Sequence, residues 1–498
     1  MVFAETETAR INRIVNEGGR SSMTELQFFA AEIAEWKGCP ARVLQMQGER
    51  YYRGEHDILE RKREIIGVDG TLEEVQNLPN NKQVDNQYAK MVDQKNNYLL
   101  GKPFTVNCKN KAYVQLLKDI FNHQFRRRLK YVGEDALNGG VGWLFLYYDP
   151  HAPDKNALAF RRFPSYEILP FWADDDHTVL DAACRLYLQE VWEGQSKTVV
   201  ERVEIYKDDG IHRYVLREGV LIPDVELGEH EAYFTVKKNG SAEGYNWARI
   251  PLIPFKYNKQ ETPLIKRIKS LQDGINVMLS DFENNMQEDA RNTILVLENY
   301  DGENLGEFRR NLAQYGAVKV RTSDGSKGGV HTLTVLVNAD NYRAVLELFK
   351  KALIENARGY DAKDERMNGN PNQMNIQSMY SDIDLDANGT ETEFQASFED
   401  ILWFVNHHLV NTGKGNFFNE DVTFVFNRDI LINESESIEN CAKSVGLLSN
   451  ETIVEQHPWT TDVEDELARL KKEADEALAD PYKDAFPPNA EPEEPKAE

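Results

Sequence analysis

The chain has 498 residues, of which 41% are hydrophobic and 10% aromatic, and this composition predicts two to four folded units with hydrophobic cores. Its formal net charge is −25, which argues against nucleic-acid binding through the average surface, because phosphate contacts need clustered lysine and arginine side chains. No stretch approaches the ~20 apolar residues of a membrane span, and the acidic N-terminus lacks the apolar centre of a secretion signal.

Helical periodicity begins early in the chain. Residues 22–66 are charged and have apolar side chains at helical spacing, namely Leu26, Phe29, Ile33 and Trp36. A later helix is predicted from Tyr113 to Leu129, and the arginine run 126–128 lies near its end. Because consecutive helical positions spread around the surface, this run indicates a subunit contact or a solvated face rather than a DNA-binding patch.

The segment NNKQVDNQYAKMVDQKNNYLLGKPFTV, residues 80–106, predicts a helix followed by a strand. Asn80 or Asn81 would cap the helix, and Gly101 would end it in a left-handed conformation. Pro103 prevents continuation of the helix. One face of the helix is predicted to hold Val84, Tyr88, Met91, Lys95 and Tyr98.

The Gly-Lys pair in this segment raises the alternative of a phosphate-binding loop. Such a loop needs a strand, a glycine-rich turn, a lysine, and then Ser or Thr at the start of a helix. Here the helix comes first, Asn96 stands in place of the first glycine, and Pro103 stands where Ser or Thr is needed. The phosphate-loop interpretation therefore fails.

Residues 139–258 are predicted to be mostly β. The stretch GGVGWLFLYYDP, Gly139–Pro150, is a buried strand bounded by glycines and a turn, and segments rich in β-formers follow it. Asp174, Asp175 and Asp176 lie in this region and could hold a catalytic metal ion, but their surroundings favour a turn between strands.

Two helices with narrow apolar stripes are predicted next, and they form a stalk. Thr262 would cap the first helix, and Pro263 fits its first position. A narrow stripe on a long helix favours packing against another helix. The predicted packing residues are Ile268, Leu271, Ile275 and Phe282 on the first helix, and Leu346 and Phe349 on the second.

The residues between these helices, Ile294–Ala339, predict a small αβ module at the tip of the stalk. Three strands are predicted in ILVLENY, GAVKVR and HTLTVLV, and one helix in NLGEFRRNLAQY. Basic residues are concentrated here, namely Arg309, Arg310, Lys319, Arg321 and Lys327. Such a cluster favours an acidic protein partner.

A polar loop is predicted after the stalk, in DAKDERMNGNPNQMNIQSMYSDIDLDANGT from residue 361. A long helix is predicted from Glu391, followed by the strand DVTFVFN and by helices in ESIENCAKSVGLLS and VEDELARLKKEADEAL. The tail from Pro481 is rich in proline and glutamate and is predicted to be disordered.

Calcium binding is the main rival interpretation of the polar loop. Asp382, Asp384 and Asp386 alternate as calcium-loop ligands do, and Glu393 falls at the twelfth position. However, Ala387 replaces the glycine that the sixth position needs, and the alternative is a polar approach to a helix, where acidic residues are favoured.

No other metal site or disulfide is predicted. The histidines are scattered, and the neighbours His407 and His408 would point to different faces of a helix. The cysteines are Cys39, Cys108, Cys184 and Cys441, and their wide spacing favours a reducing compartment without disulfides. No catalytic residues and no cofactor are predicted.

Taken in order, these segments resemble portal proteins of tailed bacteriophages. The resemblance rests on NNK…YLLGKPFTV, GVGWLFLYYD, RIPLIPFKYNK, SLQDGINVMLSDFENN and IQSMYSDIDLDANGTETEF, and it extends over roughly residues 70–475. It is closest to the branch from long-tailed phages of Gram-positive hosts. No single motif is specific, but their order and the helix–module–helix–loop–helix layout are.

The resemblance implies an α+β subunit of a ring oligomer, divided into wing, stem, clip and crown. Residues 1–260 would be the N-terminal wing region, 261–293 the first stem helix, 294–339 the clip and 340–360 the second stem helix. Residues 361–380 would be the tunnel loop, and 381–431 the long helix and the return strand to the wing. Residues 432–480 would form a helical crown, and 481–498 a disordered acidic tail.

The same resemblance implies a non-enzymatic role as a dodecameric ring at the capsid vertex, assembled in the host cytoplasm. Double-stranded DNA would pass non-specifically through the ring, and the clip would contact the terminase large subunit and later the head–tail adaptor. Capsid and scaffolding proteins are further expected partners, and no membrane is. The tunnel-loop residues would be Lys363, Arg366, Asn368, Asn370, Asn372 and Gln373. The two cations would either touch DNA or pair with nearby acidic residues.

Two other functional classes remain as alternatives. A nucleic-acid enzyme with a stalked module would need a metal-binding acid cluster, for which only the aspartate runs are candidates. Another oligomeric scaffold, such as a tail or baseplate component, would share the stalk but would not need a polar loop between two long helices.

Overall fold

The structure is a computed structural model of the chain. It describes residues 6–16, 23–66, 71–74, 78–149, 157–238, 241–289, 293–298, 322–323, 326–327, 329–334, 339–361, 373–428, 434–460 and 463–478. The chain divides into two units, one made of Met1–Tyr360 with Asp382–Asp429 and the other of Asp361–Ser381 with Ile430–Glu498. The mixture of helices and antiparallel sheets confirms the α+β class.

The α-helices of the described residues are α1 (Glu7–Asn16), α2 (Glu25–Lys37), α3 (Pro40–Tyr52), α4 (Gln87–Leu100), α5 (Lys111–Ile120), α6 (His123–Gly139), α7 (Ile265–Asp289), α8 (Ala339–Asn356), α9 (Gln373–Asn411), α10 (Glu434–Lys443), α11 (Asn450–Gln456) and α12 (Val463–Leu478). None of them is long and apolar enough to cross a bilayer, a finding limited to the described residues.

The strands of the described residues are β1 (Glu64–Ile66), β2 (Leu72–Glu74), β3 (Thr105–Asn107), β4 (Val141–Tyr148), β5 (Leu158–Phe163), β6 (Ile168–Trp172), β7 (Leu180–Glu193), β8 (Ser196–Lys207), β9 (Gly210–Arg217), β10 (Val220–Pro223), β11 (His230–Glu231), β12 (Phe234–Lys238), β13 (Ser241–Tyr245), β14 (Leu252–Lys256), β15 (Thr293–Glu298), β16 (Thr322–Ser323), β17 (Ser326–Lys327), β18 (Gly329–Thr334) and β19 (Thr423–Val425).

A six-stranded antiparallel sheet dominates the predicted β region. Its strands follow the order β10-β9-β8-β7-β6, and β11 also pairs with β9. Helix α2 covers part of this sheet, because Phe29, Ile33 and Trp36 share a buried cluster with Phe171 and other sheet residues. These three apolar residues therefore lie on the interior face, as the helical spacing predicts, whereas Leu26 is exposed.

A larger core joins the sheet β14-β4-β5 to several helices. Aromatic rings fill it: the Phe398 ring centroid lies 5.2 Å from that of Phe104 and 4.5 Å from that of Phe424. Strand β3 pairs with β19, so that Val106 stands opposite Phe424. The strand predicted after Pro103 is therefore confirmed, and it links two distant parts of the sequence.

Helix α4 corrects two predictions. The helix starts at Gln87, not at Asn80 or Asn81, and Asn86 is its cap, with the side-chain oxygen accepting a bond from the Ala89 amide. Gly101 has a φ of −70° and is right-handed, not left-handed. Helix α4 nevertheless precedes β3, which agrees with the rejection of the phosphate loop.

The predicted helix from Tyr113 to Leu129 is two helices, α5 and α6. Asn122 separates them, because its side-chain oxygen accepts bonds from the amides of Gln124 and Phe125 at 2.9 and 3.2 Å. A short capping side chain of this kind starts a new helix. The three arginines, residues 126–128, lie on α6.

The predicted polar loop after the stalk is wrong beyond residue 372. Helix α9 begins at Gln373, so the run SDIDLDANGT is helical rather than extended. In the second unit, α10 and α12 confirm the predicted C-terminal helices, and the short α11 lies between them in the sequence. The tail from Pro481 lies outside the described residues.

Candidate functional site: two stalk helices and a buried ionic cluster

Helices α7 and α8, here called the stalk, pack against each other in antiparallel directions. The ring centroids of Phe282 and Tyr342 lie 5.1 Å apart, and the Asn285 amide donates to Tyr342 Oη at 3.0 Å. At another point of the contact, a Cβ atom on Gly274 would lie 2.7 Å from the Phe349 ring. The glycine therefore permits a close approach of the two helices.

The six predicted packing residues all lie on covered or half-covered faces of the stalk. Ile268 and Ile275 are fully buried. The other four are half-buried, namely Leu271, Phe282, Leu346 and Phe349. Contacts within one copy account for part of this burial, and their packing between copies stays a prediction.

A row of polar side chains runs along α7 beside its apolar stripe. Gln272, Asn276, Ser280 and Asn284 recur at every fourth position, and all four are buried. Extended chain advances about 6.6 Å in two residues, and a helix advances about 6 Å in four. Side chains at every fourth position of a helix can therefore hydrogen-bond to every second residue of an extended chain that runs alongside the helix.

Residues 81–86, here called the extended segment, use this row. The Asn81 amide donates to Asn284 Oδ1 at 2.7 Å, and the Gln83 amide donates to Ser280 Oγ at 2.9 Å. The Asp85 amide donates to Asn276 at 3.0 Å. These bonds fix the backbone of residues 81–85 against α7, ahead of a tight turn in which the Gln87 amide donates to Asp85 O, which explains why the helix does not begin at Asn80 or Asn81.

Part of the stalk surface is apolar and exposed within one copy. Val277 and Met286 on α7 are 40% and 57% exposed, and Val345 and Leu348 on α8 are 37% and 64% exposed. Val345 and Leu348 are three positions apart and share one face of α8, whereas Val277 and Met286 are nine positions apart and lie on opposite sides of α7. Exposed apolar side chains that share a face favour an interaction surface.

A buried ionic cluster ties α9 to α4 and α7. The carboxylate of Asp386 is 8% exposed and accepts bonds from Lys95 Nζ at 2.8 Å and Tyr257 Oη at 2.6 Å. Arg267 Nη1 lies 3.1 Å from its other oxygen. Burial alone would raise the pKa of Asp386, but Lys95, Tyr257 and Arg267 together hold that pKa below its usual value.

A second carboxylate of α9 extends the cluster. Tyr98 Oη donates to Asp384 at 2.5 Å, and Arg428 Nη1 donates to the same carboxylate at 2.8 Å. Arg428 also donates to Glu391 at 2.5 Å. Arg428, three residues after the end of β19, is thereby fastened to the long helix.

This arrangement does not have the form of a calcium-binding loop, the rival interpretation of these residues. Asp382, Asp384 and Asp386 lie within one continuous helix, and the last two carboxylates are already paired with cationic side chains. Sequence reasoning missed the partners, although a lysine in an otherwise apolar helical stripe, Lys95, is a signal for a buried ion pair.

Most predicted tunnel-loop and clip residues lie outside the described residues. This holds for Lys363, Arg366, Asn368, Asn370 and Asn372, and for Arg309, Arg310, Lys319 and Arg321. Gln373 is the first residue of α9, and Lys327 ends β17. Strands β15 and β18 pair as an antiparallel hairpin stem, from Thr293 opposite Thr334 to Glu298 opposite Gly329. The other predicted elements of this module fall outside the described residues.

The remaining sequence candidates have ordinary structural roles. The Asp174 carboxylate accepts the amide bonds of Thr178 and Val179, at 3.0 and 2.8 Å, in the turn between β6 and β7. His408 Nδ1 lies 3.0 Å from Tyr148 Oη, whereas the His407 ring packs on other aromatic rings. None of the four cysteines is in a disulfide.

One cluster was missed because strand pairing creates it. Asp209, His212 and His230 place one ligand atom each within 4.8 Å of one another. The histidines come from β9 and β11, so no local motif in the sequence links them.

Comparison with known proteins identifies the family. The family model described as "Phage portal protein, SPP1 Gp6-like" matches residues 45–479. The portal protein of Bacillus phage SPP1 is 29% identical over 475 residues, which cover 95% of this chain and 91% of that protein. The portal protein of Clostridium phage phiCD119 is 25% identical over 428 residues, which cover 84% of this chain and 90% of that protein. The chain therefore belongs to the SPP1 Gp6-like family of phage portal proteins.

Proposed function

We propose that the chain forms a ring of about twelve copies at one vertex of a phage capsid, since closed cyclic symmetry is the usual solution for a repeated subunit contact. The ring is the channel for double-stranded DNA during packaging and ejection. It assembles in the host cytoplasm and becomes part of the virion. Membership of the portal family, whose members are structural proteins, supports this proposal.

The single observation that carries the proposal is the apolar surface of the stalk. Val277, Met286, Val345 and Leu348 are exposed in one copy. A monomer gains nothing from this surface, whereas a ring buries it between the stalks of neighbouring copies. Complete burial of such a side chain from water contributes about 1.5–3 kcal/mol. Val345 and Leu348 are 37% and 64% exposed, so each adds roughly half of that when a neighbouring copy covers it.

The charge of the chain suits a passive channel. Twelve copies at −25 each would carry about −300 before counterions. Phosphate binding needs local positive charge, so a negative wall lets DNA slide without adhering. Catalysis is no part of this role, and neither is a cofactor.

In this proposal, the regions that the sequence resemblance defines contact DNA and the protein partners. The tunnel region is residues 361–380, of which Gln373 onward belongs to α9, and Lys363 and Arg366 in this region either touch DNA or pair with acidic neighbours. Residues 294–339 form the clip, whose basic side chains meet the terminase large subunit and then the head–tail adaptor. Capsid and scaffolding proteins contact the outer parts of the ring.

A pair of matched variants tests the stalk contact. The double change Val345→Asn and Leu348→Asn makes the exposed face of α8 polar, and Glu347→Asn on the same helix is the control. We expect the double variant to lose rings in favour of smaller species at equal protein concentration, as measured by light scattering after gel filtration. Rings of the double variant as stable as those of the control would remove the main support for the proposal.

A further inference from the structure

Two histidines face each other across the edge of the large sheet. His230 of β11 is the register partner of His212 of β9, and their ring centroids lie 4.7 Å apart. Directly opposed residues of antiparallel strands have Cβ atoms about 4.5–5.5 Å apart, which is close enough for two imidazoles to bind one ion. Asp209, in the turn before β9, adds a carboxylate.

The turn is shaped to bring the His230 ring close to Asp209. Gly210 has a φ of +128°, and a Cβ atom there would lie 2.5 Å from the Glu231 carbonyl oxygen and 3.1 Å from His230 Nε2. His212 Nε2 lies 2.9 Å from Asp209 Oδ1, and His230 Nε2 lies 2.9 Å from the Asp209 carbonyl oxygen. Both imidazoles are thus directed at the same aspartate from two strands.

We propose that Asp209, His212 and His230 form a binding site for one divalent transition-metal ion of the zinc type. Two imidazoles and one carboxylate are a common set of protein ligands for Zn²⁺, with water in the fourth position. Hard cations such as Mg²⁺ prefer oxygen ligands and are not expected to bind here.

The ion would have a structural role at this point of the sheet. Strand β11 contains two residues, and its register with β9 is limited to the pairs His230 with His212 and Glu231 with Ile211. A metal bridge between the two histidines would fasten this short strand to the long sheet.

The competing interpretation is a hydrogen-bonded cluster without metal. In that case, the bonds to Asp209 occupy Nε2 of both imidazoles, and no ion is needed to hold the rings in place. The two interpretations differ in the response of the full-length protein to added metal.

Isothermal titration with Zn²⁺, and with Mg²⁺ as the comparison ion, distinguishes them. We expect the wild-type protein to bind one Zn²⁺ per chain saturably and to show a higher melting temperature in Zn²⁺ but not in Mg²⁺. The double variant His212→Ala/His230→Ala should bind at least about 100-fold more weakly, because even an outer-shell partner of a metal ligand is worth about 10–100-fold in affinity. Asp209→Asn should weaken binding less than the double variant.

The matched control is His123→Ala, which removes an exposed histidine at the start of α6. This variant should bind Zn²⁺ like the wild type. Absence of saturable Zn²⁺ binding by the wild type would overturn the proposal, and so would equal binding by the wild type and the double-histidine variant. Asp209, His230 and His123 are exposed and His212 is half-buried, and circular dichroism checks that the variants remain folded.

Discussion

At the level of single residues, Asp386 is buried and ionised because its neighbours compensate its charge. Lys95 is 5% exposed and pairs with it at 2.8 Å, and the Tyr257 hydroxyl donates to the same oxygen. Removing one member of a buried pair costs more than the pair itself contributes, since the remaining charge stays in a poorly solvated site.

Replacement of Asp386 by Asn is therefore expected to destabilise the protein by about 3–5 kcal/mol at neutral pH. The control is Asp382→Asn, which changes an exposed aspartate one turn earlier on the same helix. Chemical unfolding of both variants measures the difference, and equal stability would mean that the cluster contributes nothing.

The same variant has a predicted pH dependence. The pKa of Asp386 is lower in the folded chain than the unfolded value of about 3.9. Its contribution is then complete above the unfolded pKa and is lost as the pH falls through the folded pKa. The stability gap between wild type and Asp386→Asn should therefore be full at neutral pH and should narrow below about pH 4.

Two helical glycines form a second matched pair. A Cβ atom on Gly274 would meet the Phe349 ring at 2.7 Å, whereas one on Gly389 would meet nothing within 4 Å. Alanine gains about 1 kcal/mol of helix propensity at either position. We expect Gly389→Ala to raise the melting temperature, and Gly274→Ala to be less stable than Gly389→Ala by about 1–3 kcal/mol because of overpacking.

At the level of elements, the largest errors of sequence reasoning concern segments whose partners are remote. The extended segment resembles a helix start because Asn80 and Asn81 are good caps. However, its backbone amides donate to side chains of α7, about 200 positions later in the sequence. The acidic run in α9 was predicted to be part of a loop, because the sequence does not show the cationic side chains of other elements that pair with it. Long periodic elements, such as the two stalk helices, were predicted from local sequence because their pattern is local.

Hydrogen exchange tests the polar row on α7 directly. Ser280→Ala removes the acceptor of the Gln83 amide, and we expect that amide to exchange about fivefold faster, since a lost bond of this kind is worth about 1 kcal/mol. The control is Ser381→Ala, whose hydroxyl donates to Ser378 O within its own helix. Unchanged protection at Gln83 would show that the segment is held by other contacts.

At the level of the whole molecule, the family was accessible from the sequence because the motifs occur in a particular order. Each motif alone has an ordinary structural role: YLLGKPFTV ends α4 and starts β3, and IQSMYSDIDLDANGT lies inside α9. The sequence does not predict the contacts between copies, because an apolar pattern is the same for side chains that pack within one copy and for those that pack between copies.

The native mass of the purified protein, with electron micrographs of the same sample, tests the central claim most directly. One copy has a mass of 57.2 kDa, so a ring of twelve has a mass of about 690 kDa. The account predicts a species near this mass and end views that show a ring with a central hole. A monomer or dimer that persists at micromolar concentration would contradict it, because the apolar surface of the stalk would then remain exposed to water.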